Sequence, residues 1–197
     1  MNKLLTEEIL FEYQVVKETN KPRKLKGLFQ RANSKNSNGR VYSNEILTRE
    51  INRLQEAIKN RSLVGQLDHP QTATIEYGKA SHLITSAMMN GADCIGELEL
   101  LNTPCGKIVE SLIDADVKVG ISSRGLGTVR NESEYLLVND DYQLVTFDMV
   151  AEPSTPNAYP VPINESILSK LYKKDIRKPA HLRKAIFDIV NEYLKGQ

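Results

Sequence analysis

The chemistry that this chain could perform centres on a pair of serines. Ser122 and Ser123 lie in Gly120-Ile121-Ser122-Ser123-Arg124-Gly125-Leu126-Gly127, after the alternating stretch Asp116-Val117-Lys118-Val119. The pattern predicts a strand over 116–119 running into a glycine-rich turn, where Gly125 and Gly127 permit left-handed backbone and close approach. Amides left free in such a turn can polarise an oxyanion beside a serine hydroxyl, which makes Arg124 and Gly125 candidate donors. A serine hydroxyl is a weak nucleophile until a base takes its proton, and histidine is the usual base near neutral pH. Of the three histidines, His82 reads as structural within Ala80-Ser81-His82-Leu83-Ile84, and His181 as solvated beside a basic helix. His69 differs: in Val64-Gly65-Gln66-Leu67-Asp68-His69-Pro70 it stands where a short strand runs into a proline-fixed turn. Successive strand side chains face opposite sides, so Ser122 and Ser123 cannot both address it.

A third group must orient the imidazole and stabilise its charged form. Asp148 is the favoured candidate, because in Thr146-Phe147-Asp148-Met149-Val150 an acid interrupts an otherwise apolar strand. A carboxylate buried there is costly unless paired. Glu152 and Asp68 compete, Asp68 less well because neighbours on a strand diverge.

Taken together and in order, Leu67-Asp68-His69-Pro70, Ser122-Ser123-Arg124-Gly125, Phe147-Asp148-Met149-Val150 and Pro153-Ser154-Thr155-Pro156 resemble the prohead proteases of tailed bacteriophages, in particular the T-even type. Gly27-Leu28-Phe29 and the segment from Asn36 to Tyr42 are similar to that family as well, so the resemblance spans roughly residues 25–166. It implies an α+β fold with a β-barrel-like core of mostly antiparallel strands flanked by helices, shared with the herpesvirus assembly proteases. It implies a serine endopeptidase of capsid maturation that needs no cofactor. In these families the nucleophile sits in Ser-x-Gly, which fits Ser123-Arg124-Gly125 and selects Ser123, with Ser122 as the alternative. The implied partners are scaffold and capsid precursor proteins and further copies of the chain, inside the prohead in the host cytoplasm. A non-catalytic core component that binds scaffold is the rival reading. A different Ser/His hydrolase is disfavoured by the lack of Gly-x-Ser-x-Gly.

Composition agrees with one sizeable core: 197 residues, 40% apolar and 26% charged. A net charge of +1 argues against a general nucleic-acid binder. No apolar run predicts a membrane span, and Met1 to Glu8 lacks a signal-peptide core. Cys94 and Cys105 have no Cys-x-x-Cys spacing and read as reduced thiols, and no ligand set for zinc is present, so no metal is expected.

The elements that must position the candidate site follow from periodicity and turn signals. Strands are predicted at 9–16 and 25–30, and a polar loop at 32–40. A helix capped by Ser43 buries Leu47, Ile51, Leu54 and Ile58. Residues 71–78 form a surface loop, a rim for a substrate groove. Residues 81–89 and 94–101 form a hairpin about Asn90-Gly91. Thr103-Pro104 opens a second helix with Ile108, Leu112, Val109 and Ile113 on its buried face. A strand from Thr128, a bend at 131–134, and a hairpin of 135–138 with 143–151 complete the core.

Domain organisation is expected as a protease domain over 1–162 and a tail over 163–197. Within the tail, Ile163-Asn164-Glu165-Ser166 resembles the T-even type processing signal, an aliphatic residue, any residue, then Glu before a small residue. It follows a proline-rich segment expected to be extended. Residues 166–197 carry a net charge of +5 against −4 for the remainder. There, Leu182, Ala185, Ile186, Ile189, Val190 and Tyr193 mark an amphipathic helix.

Overall fold

The computed structural model of the chain describes residues 3–6, 22–70, 72–151, 155–156 and 160–162. The chain divides into two units, Met1–Pro162 and Ile163–Gln197, and all described residues lie in the first. The predicted strand at 9–16, Glu152, the Glu165–Ser166 signal and the basic helix all lie outside the described residues.

The elements run β1 (Lys3–Thr6), β2 (Lys24–Arg31), β3 (Arg40–Val41), α1 (Asn44–Lys59), β4 (Val64–Gln66), β5 (Ala80–Asn90), β6 (Asp93–Leu100), α2 (Pro104–Asp114), β7 (Gly120–Gly127), β8 (Val129–Asn131), β9 (Leu136–Val138), β10 (Gln143–Val150) and β11 (Val161–Pro162). Three sheets result, ordered β1-β7-β10, β11-β2-β6-β5-β4 and β3-β9-β8. Among the described strands all pairings are antiparallel except β3 with β9. The fold is α+β, with a barrel-like core between the β1-β7-β10 sheet and the five-stranded sheet. Beyond β4, Leu67 forms a parallel bridge with Met149 of β10, so an edge of one sheet meets an edge of the other. Phe29 of β2 packs on Phe147 of β10 inside this core, ring centroids 5.0 Å apart.

Local sequence explains the helices. The Ser43 side chain accepts from the Ile46 amide at 3.2 Å, and Leu47, Ile51, Leu54 and Ile58 are buried at helical spacing. Thr103 caps α2 through the Gly106 amide at 3.1 Å, with Pro104 in the first turn. The buried face of α2 is Gly106, Val109 and Ile113, whereas Ile108 is half exposed. The predicted hairpin at Asn90-Gly91 is present as β5 and β6, with Gly91 at φ +65°.

Two expectations are corrected. Residues 116–119 form no strand, and the glycine-rich stretch is itself a strand, β7, rather than a turn. Its glycines serve packing: a Cβ on Gly125 would lie 2.5 Å from the Tyr142 ring. Likewise, 135–138 and 143–151 make no hairpin. β9 pairs with β8 and β3, and β10 pairs with β7, whose buried small residues accept its apolar face.

Candidate active site

β7 and β10 run antiparallel with Asp148 directly opposite Ser122 and Phe147 opposite Ser123. Directly opposed residues project to the same face of a sheet, and the next pair projects to the other. Ser122 and Asp148 therefore share one face, while Ser123 shares the core face of Phe147. The third side chain arrives from the seam between the sheets. After the Leu67 bridge, the Asp68 amide donates to the Met149 carbonyl at 2.7 Å, and Asp68 adopts φ +62°. That left-handed residue, a conformation that Asp tolerates better than most, turns the chain so that His69 meets β7 and β10.

His69 Nδ1–H donates to Asp148 Oδ2 at 2.9 Å, and the Ser122 hydroxyl donates to His69 Nε2 at 2.5 Å. The tautomer follows from chemistry: an ionised carboxylate only accepts, so Nδ1 carries the proton and Nε2 is free to accept one. The hydroxyl that faces His69 is thus that of Ser122. Ser123, favoured from the Ser-x-Gly pattern, points away, and its Oγ is buried without a hydrogen-bond partner. The Ser-x-Gly resemblance carries no information on strand register, and it is the pairing of β7 with β10 that sets Ser122 on the face of His69 and Ser123 on the opposite one.

Asp148 is fully buried and accepts four hydrogen bonds. Besides His69, these come from the Gln66 amide to Oδ1 at 3.0 Å and from Arg124, Nε to Oδ2 at 2.7 Å and Nη2 to Oδ1 at 3.1 Å. Burial pushes the carboxyl up, but the hydrogen bonds from His69 and Arg124, the Arg124 charge and the Gln66 amide together hold it below the ordinary carboxylate range. Asp68, the weaker candidate, is exposed.

Arg124 and Gly125, expected as oxyanion donors, sit inside β7. Thr6 and Leu5 flank them on one side, Thr146 and Leu144 on the other. Both therefore lie within a strand paired on each side, opposite an irregularity of β10 between Leu144 and Thr146, rather than in the glycine-rich turn that the sequence reading expects. The Arg124 side chain instead reaches into the site beside Ser122, two residues away on the same face. The sequence reading missed this role, and that of Gln66, because it took the stretch as a turn. A strand reading would have set Arg124 beside Ser122 by period two.

Beneath the site, His82 is fully buried. Its Nδ1 accepts from the Ser81 hydroxyl at 2.9 Å, and its Nε2–H donates to the Phe147 carbonyl at 3.0 Å. Burial holds its pKa down at about 4, so this ring is neutral and structural. Among the described residues, no group of three or more His, Cys, Asp or Glu could hold a metal ion. Cys94 and Cys105 are free, and burial pushes the Cys94 thiol up to about 12. No helix among the described residues is long and apolar enough to cross a membrane.

With this geometry in view, comparison with known proteins is specific. Residues 11–168 match the family model described as prohead core protein serine protease. The chain is 31% identical over 144 residues to the prohead core protein protease of Enterobacteria phage T4, a match covering 70% of this chain and 68% of that protein. Its fold is similar to the solved structure of the bacteriophage T4 capsid assembly protease, with a TM-score of 0.69 and 25% identity over 76% of this chain and 98% of the other.

Proposed function

The chain belongs to the prohead core protein serine protease family, and from that premise we propose that it is a serine endopeptidase with Ser122 as nucleophile, His69 as base and Asp148 as the orienting acid. The observation that carries this reading is the unbroken hydrogen-bond line from Ser122 Oγ through His69 to Asp148. In the proposed reaction, Ser122 Oγ attacks the scissile carbonyl as its proton passes to His69 Nε2. Asp148 stabilises the imidazolium, which then protonates the leaving amine. Water, deprotonated by the same imidazole, hydrolyses the acyl-enzyme and restores Ser122. Ser122 and Asp148 have no exposed surface, and the His69 side chain is 12% exposed.

The substrates on this reading are scaffold and capsid precursors, cut after Glu in (Leu/Ile)-x-Glu sites inside the prohead by a protease that is itself oligomeric. Confinement in a shell raises the effective substrate concentration and lessens the catalytic power required. Ile163-Asn164-Glu165-Ser166 supplies such a site within the chain, and Glu165–Ser166 is the proposed self-cleavage bond.

Intact-mass spectrometry of wild type, Ser122→Ala and Ser123→Ala over hours, alone and with a peptide carrying Ile-Asn-Glu-Ser, tests the proposal. Wild type and Ser123→Ala should cut after Glu, and Ser122→Ala should not. Activity surviving in Ser122→Ala would overturn the nucleophile. A wild type inert on every Glu-containing substrate, scaffold included, would favour the non-catalytic scaffold binder.

A further inference from the structure

Arg124 is the largest fully buried side chain of the described core. A guanidinium has five N–H donors, and all five are used here. Nε and Nη2 grip the two oxygens of Asp148, and Nη2 also donates to Gln66 Oε1 at 2.7 Å. Nη1 turns the other way, to the main-chain carbonyls of Thr72 at 2.8 Å and Thr74 at 3.3 Å. Those carbonyls belong to the largely exposed segment that follows His69, which the sequence reading takes as the rim of a substrate groove. Gln66 closes the arrangement from the strand that leads to His69, its Nε2–H donating to the Glu76 carbonyl at 3.2 Å. The one cation therefore holds the acid that orients His69, a side chain just before His69 and the backbone just after it.

We propose that Arg124 is the positioning residue of the catalytic group, coupling the charge and orientation of Asp148 to the docking of the 72–76 rim. This rests on the Ser122–His69–Asp148 reading. The hydrogen bonds of Arg124 go to Asp148, Gln66, Thr72 and Thr74, so it acts through Asp148 and the rim. Bidentate contact with a carboxylate plus two divergent carbonyl bonds demands the planar fork, and a lysine ammonium can satisfy only part of it. Rim and triad then align together, so a peptide that orders residues 72–76 on binding also favours the productive orientation of His69.

The test uses the full chain with Arg124→Lys and Arg124→Gln, each checked for folding by circular dichroism and thermal melting. Proton NMR of His-labelled protein, in a Ser122→Ala background, reads the Nδ1–H of His69 directly and needs no turnover. Both variants should lose or broaden that hydrogen-bonded signal. In the Ser122-containing forms, kcat on a Glu-containing peptide should fall by roughly two orders of magnitude. Without a full guanidinium partner the Asp148 carboxyl is held down less firmly, so activity should be lost at a higher pH than in wild type as the solution is acidified. Limited proteolysis should cut within 72–76 faster than in wild type. If Arg124→Gln does not fold, Arg124→Lys carries the test alone. A folded Arg124→Lys with wild-type kcat, unshifted acid limb and intact His69 signal would overturn the proposal. Failure of Ser122→Ala to abolish cleavage would overturn the nucleophile instead, and would leave the NMR result on Arg124 standing.

Discussion

At the scale of single residues, the site is governed by one buried carboxylate whose four acceptor positions are all filled. Removing its charge strands a cation. Asp148→Asn leaves Arg124 with no exposed surface and no counter-ion, and breaking a buried pair in that way costs about 3–5 kcal/mol. The amide also presents an N–H where His69 needs an acceptor, which favours the wrong tautomer for taking a proton from Ser122. We therefore expect Asp148→Asn to lower both the denaturation midpoint and kcat, measured by urea titration and peptide cleavage. Ser123→Ala, by contrast, removes a buried hydroxyl that bonds to nothing, so stability should be unchanged or slightly raised.

At the scale of elements, the edge of β10 away from β7 is closed by side chains rather than by a full strand. Glu50 of α1 accepts from the Leu144 amide at 2.9 Å, and Arg49 and Arg53 donate to the carbonyls of Tyr142 and Leu144 while also bonding to Glu50. Further along, Thr146 Oγ1 donates to the Val64 carbonyl at 2.8 Å, and His82 donates to the Phe147 carbonyl. Glu50→Ala would leave the buried Leu144 amide unsatisfied, at a cost of about 1–3 kcal/mol in a urea melt. Gly65 lies where β4 approaches β10: a Cβ there would fall 2.0 Å from the Phe147 carbonyl oxygen and 2.2 Å from His82 Nε2. Backbone cannot yield as a flexible side chain can, so Gly65→Ala should push the strand before His69 away from Asp148. The expected outcome is loss of activity together with a lower melting temperature.

At the scale of the whole molecule, the junction of the two large sheets is also the place where protons couple to folding. His82 has its pKa lowered by burial from 6.5 to about 4. The unfolded chain then binds a proton that the native state refuses, so stability is lost as pH falls from 6.5 towards 4, on the order of 3 kcal/mol across the window. Asp148 acts below that range. Its depressed carboxyl stabilises the fold fully above the ordinary carboxylate pKa of about 4, and the contribution disappears as pH falls through the folded value. Urea melts at pH 7 and pH 4.5 should show the first loss in wild type and a shallower one in His82→Gln. The burial of Ser122 has a kinetic counterpart: a serine-directed fluorophosphonate should label it slowly, and faster in sub-denaturing urea. Rapid stoichiometric labelling without urea would contradict the burial of Ser122.

Much of this protein can be read from residue order alone, because the signals concerned are local. Ser43 and Thr103 as caps, the spacing of Leu47, Ile51, Leu54 and Ile58, and the Asn90-Gly91 turn depend on neighbours within a few residues, and the structure has them where expected. His69 and Asp148 could be singled out because each breaks its surroundings, one by turn chemistry and the other as an acid among apolar residues. Choosing between two adjacent serines was beyond local pattern. Period-two alternation says only that one of them faces His69, and which one depends on the register of β7 against β10, a pairing between segments some twenty residues apart. The same register turned Arg124 from a supposed turn residue into the buried partner of Asp148. Its donors find Gln66, Thr72 and Thr74 more than forty residues earlier in the chain, contacts that exist only once the two sheets have met.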